Sequence, residues 1–311
     1  MTGRRGGVLL GAVACGLAVL LGALAAPRDD DRGGGTAHRG DTAPTRPPAS
    51  DRGATALPLP RELRVVHHNL CGAAAVCPWN SGGTGPGTSV PRLVERAARL
   101  RADIVTVNEL CLTQYTELKR QLALAGWKMD GTYASSQDNV PACGSTGAFG
   151  SAVLSREGVP DERQDYHRFA DTGGETYANG GRTVGVRRGL LCAHTSFAGH
   201  PLTACTAHTN AKAPGQLREI RDRLARLPQD IPVILAGDLN LPPDAPALAY
   251  LTGGFTEADA VDQEPTADGR KIDYVFADRR HFTAVDGDAE PYAESDHALL
   301  TGRFTLASGG A

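Results

Sequence analysis

The chain has 311 residues, 41% of them hydrophobic, and a formal net charge of −3. That apolar share is enough for a packed core. The near-neutral balance excludes attachment to nucleic acid or anionic membrane through bulk charge, but leaves room for a local basic strip that holds phosphates.

Residues 1–25 read as a signal peptide: Arg4 and Arg5 precede an uncharged apolar run from Val8, and Ala23-Leu24-Ala25 offers a small-x-small cleavage site. Retention of the segment as an N-terminal membrane anchor is the alternative, since the run is long enough to span a bilayer. Residues 26–60 are rich in Pro, Gly, Asp and Arg and nearly free of large apolar side chains, which predicts a disordered linker. A folded domain is expected over 61–306, with a short tail over 307–311.

Within it, 63–69 reads as a strand and 89–101 as a helix, capped by Ser89 with Pro91 in its first turn. A buried strand over 103–109 precedes a helix over 113–125 that Gly126 closes. Strands are expected over 127–133, 148–155, 183–196 and 201–208, a helix over 214–226, and a strand over 231–236. Late strands fall near 272–277, 281–285 and 297–305. Hairpins mixed with helix-linked strands predict one layered α+β domain.

Polar residues gather at strand ends. Asn69 ends the first strand, Glu109 the second, and Asp238 and Asn240 follow the apolar run that ends at Ala236. Asp296-His297 opens the last strand. An isolated Asp or Asn there is an ordinary turn residue. Several at the ends of apolar strands point to a site assembled on a rigid frame.

Asn69, Asn108-Glu109, Gly237-Asp238-Leu239-Asn240, Ile272-Asp273-Tyr274-Val275 and Ser295-Asp296-His297 occur in this order. Phe149 to Arg156 and Thr206-Ala207-His208-Thr209-Asn210 add two strand segments. Together they resemble the endonuclease/exonuclease/phosphatase superfamily, which includes deoxyribonuclease I-like enzymes, abasic-site endonucleases, bacterial sphingomyelinases and inositol-phosphate phosphatases. The resemblance implies an α+β four-layer sandwich, two mixed β-sheets face to face with helices outside. It also implies Mg²⁺ or Mn²⁺, held by Glu109 with Asn69 assisting and Asp296 sharing. His297 is the expected general base, with Asp273 fixing its tautomer. Asp238 and Asn240 are expected to orient the attacking water and the phosphoryl oxygens. His208 is expected to stabilise the transition state or protonate the leaving group.

The implied reaction is in-line attack of water on a phosphodiester. A secreted nuclease leads among the subfamilies, and a lipid phosphodiesterase of sphingomyelinase or phospholipase C type is the alternative. An inactive phosphate-binding module is a third reading, which the complete residue set disfavours. The expected partner is a phosphodiester, nucleic acid first and a lipid headgroup second; nothing in the sequence points to a protein partner, and a monomer is expected. Two features depart from the deoxyribonuclease I pattern. Cys111 occupies the position where those enzymes carry an arginine two residues after the metal-binding glutamate. No clear acidic partner for His208 is visible, Asp130 and Asp138 being the candidates.

Five other residues read plainly. Of His67 and His68, alternating on one strand, one is expected to pack and one to meet water. Arg182, Arg187 and Arg188, with phosphate binding as an alternative, are expected to face solvent.

Six cysteines follow the signal segment, an even number that suggests three disulfides in an exported chain. A hairpin centred between Ala198 and Gly199 sets Cys192 opposite Cys205, which predicts that bridge. The pairing of Cys71, Cys77, Cys111 and Cys143 stays open.

Overall fold

The computed structural model describes residues 62–307, except 75, 76, 78, 79, 81, 86, 161–164, 180, 292 and 293. The segments expected as signal peptide and linker, and residues 308–311 of the expected tail, lie outside the described residues. Among the described residues no helix is long and apolar enough to cross a membrane.

The chain opens with β1 (Glu62–Asn69), α1 (Ser89–Leu100), β2 (Ile104–Cys111), α2 (Leu112–Leu124), β3 (Asp130–Gln137) and β4 (Phe149–Ser155). Next come β5 (Asp165–Arg168), β6 (Thr176–Asn179), β7 (Arg182–Gly185), β8 (Gly189–Phe197) and β9 (His200–His208). It ends with α3 (Gly215–Leu224), β10 (Val233–Asp238), α4 (Ala249–Thr252), β11 (Phe255–Glu257), β12 (Asp273–Asp278), β13 (Phe282–Glu290) and β14 (Leu299–Leu306).

These strands form two six-stranded sheets, ordered β13-β14-β1-β2-β4-β3 and β11-β12-β10-β9-β8-β5, and a two-stranded β6-β7 ribbon. Each large sheet contains one parallel pair, β1 with β2 and β9 with β10. A helix makes each crossover, α1 in the first sheet and α3 in the second, as a parallel connection requires.

Side-chain parity explains the layering. In β10, Ile234 and Ala236 join the core between the sheets, while Val233 and Leu235 pack in the cluster that holds Leu217 and Ile220 of α3. In β2, Ile104 points between the sheets and Val105 packs with Leu93 of α1 and Leu118 of α2. Strands covered on both faces read as continuous apolar runs. The result is the four-layer α+β sandwich that the resemblance implied.

Some elements depart from the sequence reading. The helix start is capped at Thr88, whose hydroxyl donates to the Gly85 carbonyl, and Ser89 already lies inside α1. The expected strand over 183–196 breaks at residues 186–188: its first part pairs with β6 in the separate ribbon, and only β8 joins the large sheet. The hairpin of β8 and β9 has the expected register, with Phe197 opposite His200, and the Cys192–Cys205 bridge forms. The other two bridges are Cys71–Cys77 and Cys111–Cys143.

A candidate active site at the mouth of the sandwich

The alternation that builds the core also builds the site. Residues 234, 236 and 238 share the inner face of β10, so Asp238 continues the row of Ile234 and Ala236. His208 on β9 and Asp273 on β12 have the same relation to Ala204 and Val275. The register makes His208, Asp238 and Asp273 direct neighbours on three adjacent strands. From the facing sheet, Asn69 and Asn108 pair across β1 and β2. The inter-sheet space thus turns from apolar to polar at one mouth.

Glu109 has the opposite parity to Asn108 and by simple alternation would point outward. The β2–β4 register shifts between Val107 and Leu110, and Glu109 adopts φ 55°, a left-handed conformation uncommon for a non-glycine residue. The bulge re-aims its carboxylate toward the mouth, as bulges beside functional sites commonly do.

The polar groups brace one another. Asn69 Nδ2 donates to Asp238 Oδ2 (3.0 Å), and the Cys71 N–H donates to Asn69 Oδ1 (3.1 Å). The Asp238 N–H donates to Asn108 Oδ1 (3.0 Å), while Asn108 Nδ2 donates to Ser151 and Thr206. Asn240 reaches Asp238 through its backbone N–H (2.9 Å) and spends its side-chain amide on the Thr209 carbonyl. His297 Nδ1 meets Asp273 Oδ2 at 2.7 Å, and its Nε2 lies 3.8 Å from Asp238 Oδ2. The other Asp273 oxygen lies 3.4 Å from His67 Nε2, and His67 Nδ1 bonds to Thr106 (2.9 Å).

The sequence reading therefore missed His67 and Asn108 as braces. It also placed one of His67 and His68 in water, whereas both are fully buried because helices cover the outer face of β1. Asp130 pairs with Lys119, and Asp138 accepts from Ser135, so neither serves His208. His208 Nε2 instead lies 3.6 Å from Glu109 Oε1 and 3.4 Å from Asp238 Oδ2, with no hydrogen-bond partner of its own. Asp296 is exposed and stands outside this cluster of donor atoms, though its charge is felt by Glu109.

Burial and neighbouring charges set the protonation. Burial pushes Asp238 up to about 7, with the Asp273 charge adding to it. Burial also raises Glu109, and lowers His208 well below the ordinary histidine value, Arg188 adding to the latter shift. Burial works against the charged form of His297, but the adjoining Asp273 overcomes it and raises the imidazole to about 10. Burial likewise opposes ionisation of Asp273, yet His297 and His67 hold it far below the carboxylate range.

Donor atoms of Glu109, His208 and Asp238 lie within 4.8 Å of one another. Two carboxylates and an unpartnered imidazole nitrogen gathered in so small a space favour the protonated acids, as the upward shifts of Glu109 and Asp238 show despite the charges of Arg188 and His297 nearby. A hard divalent cation that takes one or two carboxylates and keeps water suits this donor set.

The description of the endonuclease/exonuclease/phosphatase family matches residues 68–297, and the chain belongs to that family, whose members are phosphoester hydrolases. No curated protein matches the chain. Among solved structures, an endonuclease/exonuclease/phosphatase from Beutenbergia cavernae is similar at 22% identity, covering 79% of this chain and 72% of that one (TM-score 0.61). The mannosyl-6-phosphatase Bt3783 of Bacteroides thetaiotaomicron shares 18% identity over 78% of this chain and 99% of its own (TM-score 0.58). D. rerio TDP2, complexed with a single-strand DNA product, shares 17% over 78% and 99% (TM-score 0.54). At these identities the likeness is one of fold.

Proposed function

We propose that the protein is a secreted, divalent-cation-dependent phosphodiesterase, acting first on nucleic acid. The observation that carries the reading is the buried Asp273–His297 contact of 2.7 Å with Nε2 directed toward Asp238, beside the Glu109–His208–Asp238 cluster. Glu109 and Asp238 would hold the cation with Asn69 assisting, and Asp296 adds negative charge from the rim. A bound Mg²⁺ or Mn²⁺ supplies positive charge that offsets the phosphoryl oxygens and the carboxylates.

The chain's own groups do the rest. Asp273 accepts from His297 Nδ1 and fixes the tautomer; with the cation's charge offsetting the carboxylates that raise the imidazole in its absence, Nε2 is free to take the proton of the attacking water. Asp238 orients that water, and Asn240 sets the Asp238 carboxylate through its backbone N–H. Water attacks phosphorus in line, the bond to the leaving oxygen breaks, and His208, neutral in its buried setting, hydrogen-bonds the departing group. Three disulfides fit export to an oxidising compartment.

Exposed Arg182 on the ribbon and exposed Arg187, which precedes Arg188, support nucleic acid as the substrate. The exposed large apolar side chains among the described residues, such as Leu124 and Val261, lie far apart in sequence and on different elements. Incubation with supercoiled plasmid tests the substrate. Nicking in Mg²⁺ that EDTA and His297→Ala each abolish is expected; an intact plasmid with active turnover of sphingomyelin would move the assignment to lipid phosphodiesters.

A further inference from the structure

Arg188 stands immediately before Gly189, and Gly189 is the rung partner of His208. The arginine therefore adjoins the row of His208, Asp238 and Asp273. Its side chain is only 12% exposed. Nη2 donates to both oxygens of Glu175, at 3.1 and 2.8 Å. Glu175 is itself held by Asn210 Nδ2 at 2.8 Å. Asn210 lies two residues beyond His208, so one short stretch of chain anchors both the histidine and the acid that grips Arg188.

The rest of the guanidinium is unsatisfied. Nε and Nη1 are buried and have no hydrogen-bond partner. Burying charged N–H donors without acceptors costs more than an ordinary hydrogen bond returns, so such an arrangement needs a reason. Structural ion pairing is a poor one, because Glu175 occupies Nη2 alone. Arg188 also acts electrostatically on Glu109, His208 and Asp238 alike, which places its charge at the same mouth. What is lacking there is an anionic ligand with several acceptor oxygens. A phosphoryl group has that form, and a guanidinium matches it in charge and donor number.

We propose that Arg188 is a phosphate-binding residue of this site, seating a non-bridging phosphoryl oxygen against the Glu109–His208–Asp238 cluster while Glu175 holds its guanidinium in place. This rests on the phosphoesterase reading, and it adds a contact that supplements the cation: the chain carries its own positive charge to the substrate. The β6–β7 ribbon gains a purpose from it. Glu175 leads into β6, the Val186 N–H donates to the Glu175 carbonyl, and Asn179 Nδ2 donates to the Asn139 carbonyl (2.7 Å). The ribbon is thus closed at its base by Glu175 and Val186 and held near its tip by Asn139, and its base presents Glu175 to Arg188.

Calorimetric titration of the oxidised protein with inorganic phosphate in Mg²⁺ tests this, with Mn²⁺ binding measured separately. Arg188→Ala is expected to weaken phosphate at least about tenfold, and Glu175→Gln by a smaller factor. Mn²⁺ affinity should hold or rise in Arg188→Ala, since a repelling cation is removed from beside Glu109. Unchanged phosphate affinity in Arg188→Ala overturns the proposal, as does a wild-type protein that binds no phosphate. Joint loss of phosphate and Mn²⁺ binding overturns it too, by assigning Arg188 a structural role. Hydrolysis of bis(p-nitrophenyl) phosphate separates the two readings. An active wild type with an equal kcat/KM in Arg188→Ala removes Arg188 alone. An inactive wild type whose phosphate binding still depends on Arg188 supports the contact and removes the hydrolase.

Discussion

Asp273 is enclosed by two histidines, His297 on one oxygen and His67 on the other, and this pairing decides what His297 can do. An asparagine there would preserve the shape but remove the charge that orients and stabilises the imidazolium. Asp273→Asn is expected to lower kcat by about 10²–10⁴ with little change in KM, read by steady-state kinetics. Unchanged kcat would remove His297 as the base. The protonation pattern also makes a stability prediction for the metal-free protein. His297 is raised from 6.5 to about 10, so its contribution is complete below pH 6.5 and is lost as pH rises toward 10. Asp238 is raised from 3.8 to about 7, so ionising it costs stability over that lower window, in the same direction. In EDTA the melting temperature should therefore fall through neutral and alkaline pH, and Mg²⁺ should flatten the profile by supplying the missing charge. A flat profile in EDTA would contradict this assignment of protons.

At the scale of elements, two disulfides stand close to the proposed metal residues. Cys71 follows Asn69 by two residues and is bridged to Cys77; Cys111 follows Glu109 by two and is bridged to Cys143. The Cys71 N–H also donates to the Asn69 side-chain Oδ1. The third bridge crosses the β8–β9 hairpin and packs among the apolar side chains that α3 covers. Mild reduction is expected to cost about 2–5 kcal/mol per lost bridge. Losing Cys71–Cys77 or Cys111–Cys143 should additionally weaken Mn²⁺ binding, whereas removing Cys192–Cys205 by paired alanines should lower only the melting temperature. Equal Mn²⁺ affinity in fully reduced, folded protein would refute this coupling. The Cys192–Cys205 bridge was legible because a hairpin has arithmetic: its centre fixes the pairs. The other two join residues whose approach depends on the bulge at Glu109 and on loop paths, which local patterning does not encode.

Across the whole molecule, legibility follows how the layers are covered. Apolar alternation ending in a polar residue marked Asn69 and Asp238, since such runs end where the sandwich opens. The same four layers hid other residues. With both faces of a strand covered there is no solvated side, so His67 and His68 are both buried and His67 becomes a brace. The residues from 183 onward read as one strand because Val184, Val186 and Leu190 look continuous. The pair Arg187-Arg188 interrupts them, and the second arginine is received by Glu175, which lies 13 residues earlier in the chain. Glu109 was found by motif although its parity is wrong for the inner face; the positive φ that corrects it is a tertiary effect.

The most direct test of the account is hydrolysis of bis(p-nitrophenyl) phosphate by the oxidised wild type, Glu109→Gln and His297→Ala, each with Mg²⁺ and with EDTA. Turnover is expected only for the wild type in Mg²⁺, with folding of all three proteins intact. Equal turnover in EDTA, or full activity in either variant, would contradict a cation-assisted phosphodiesterase built on these residues.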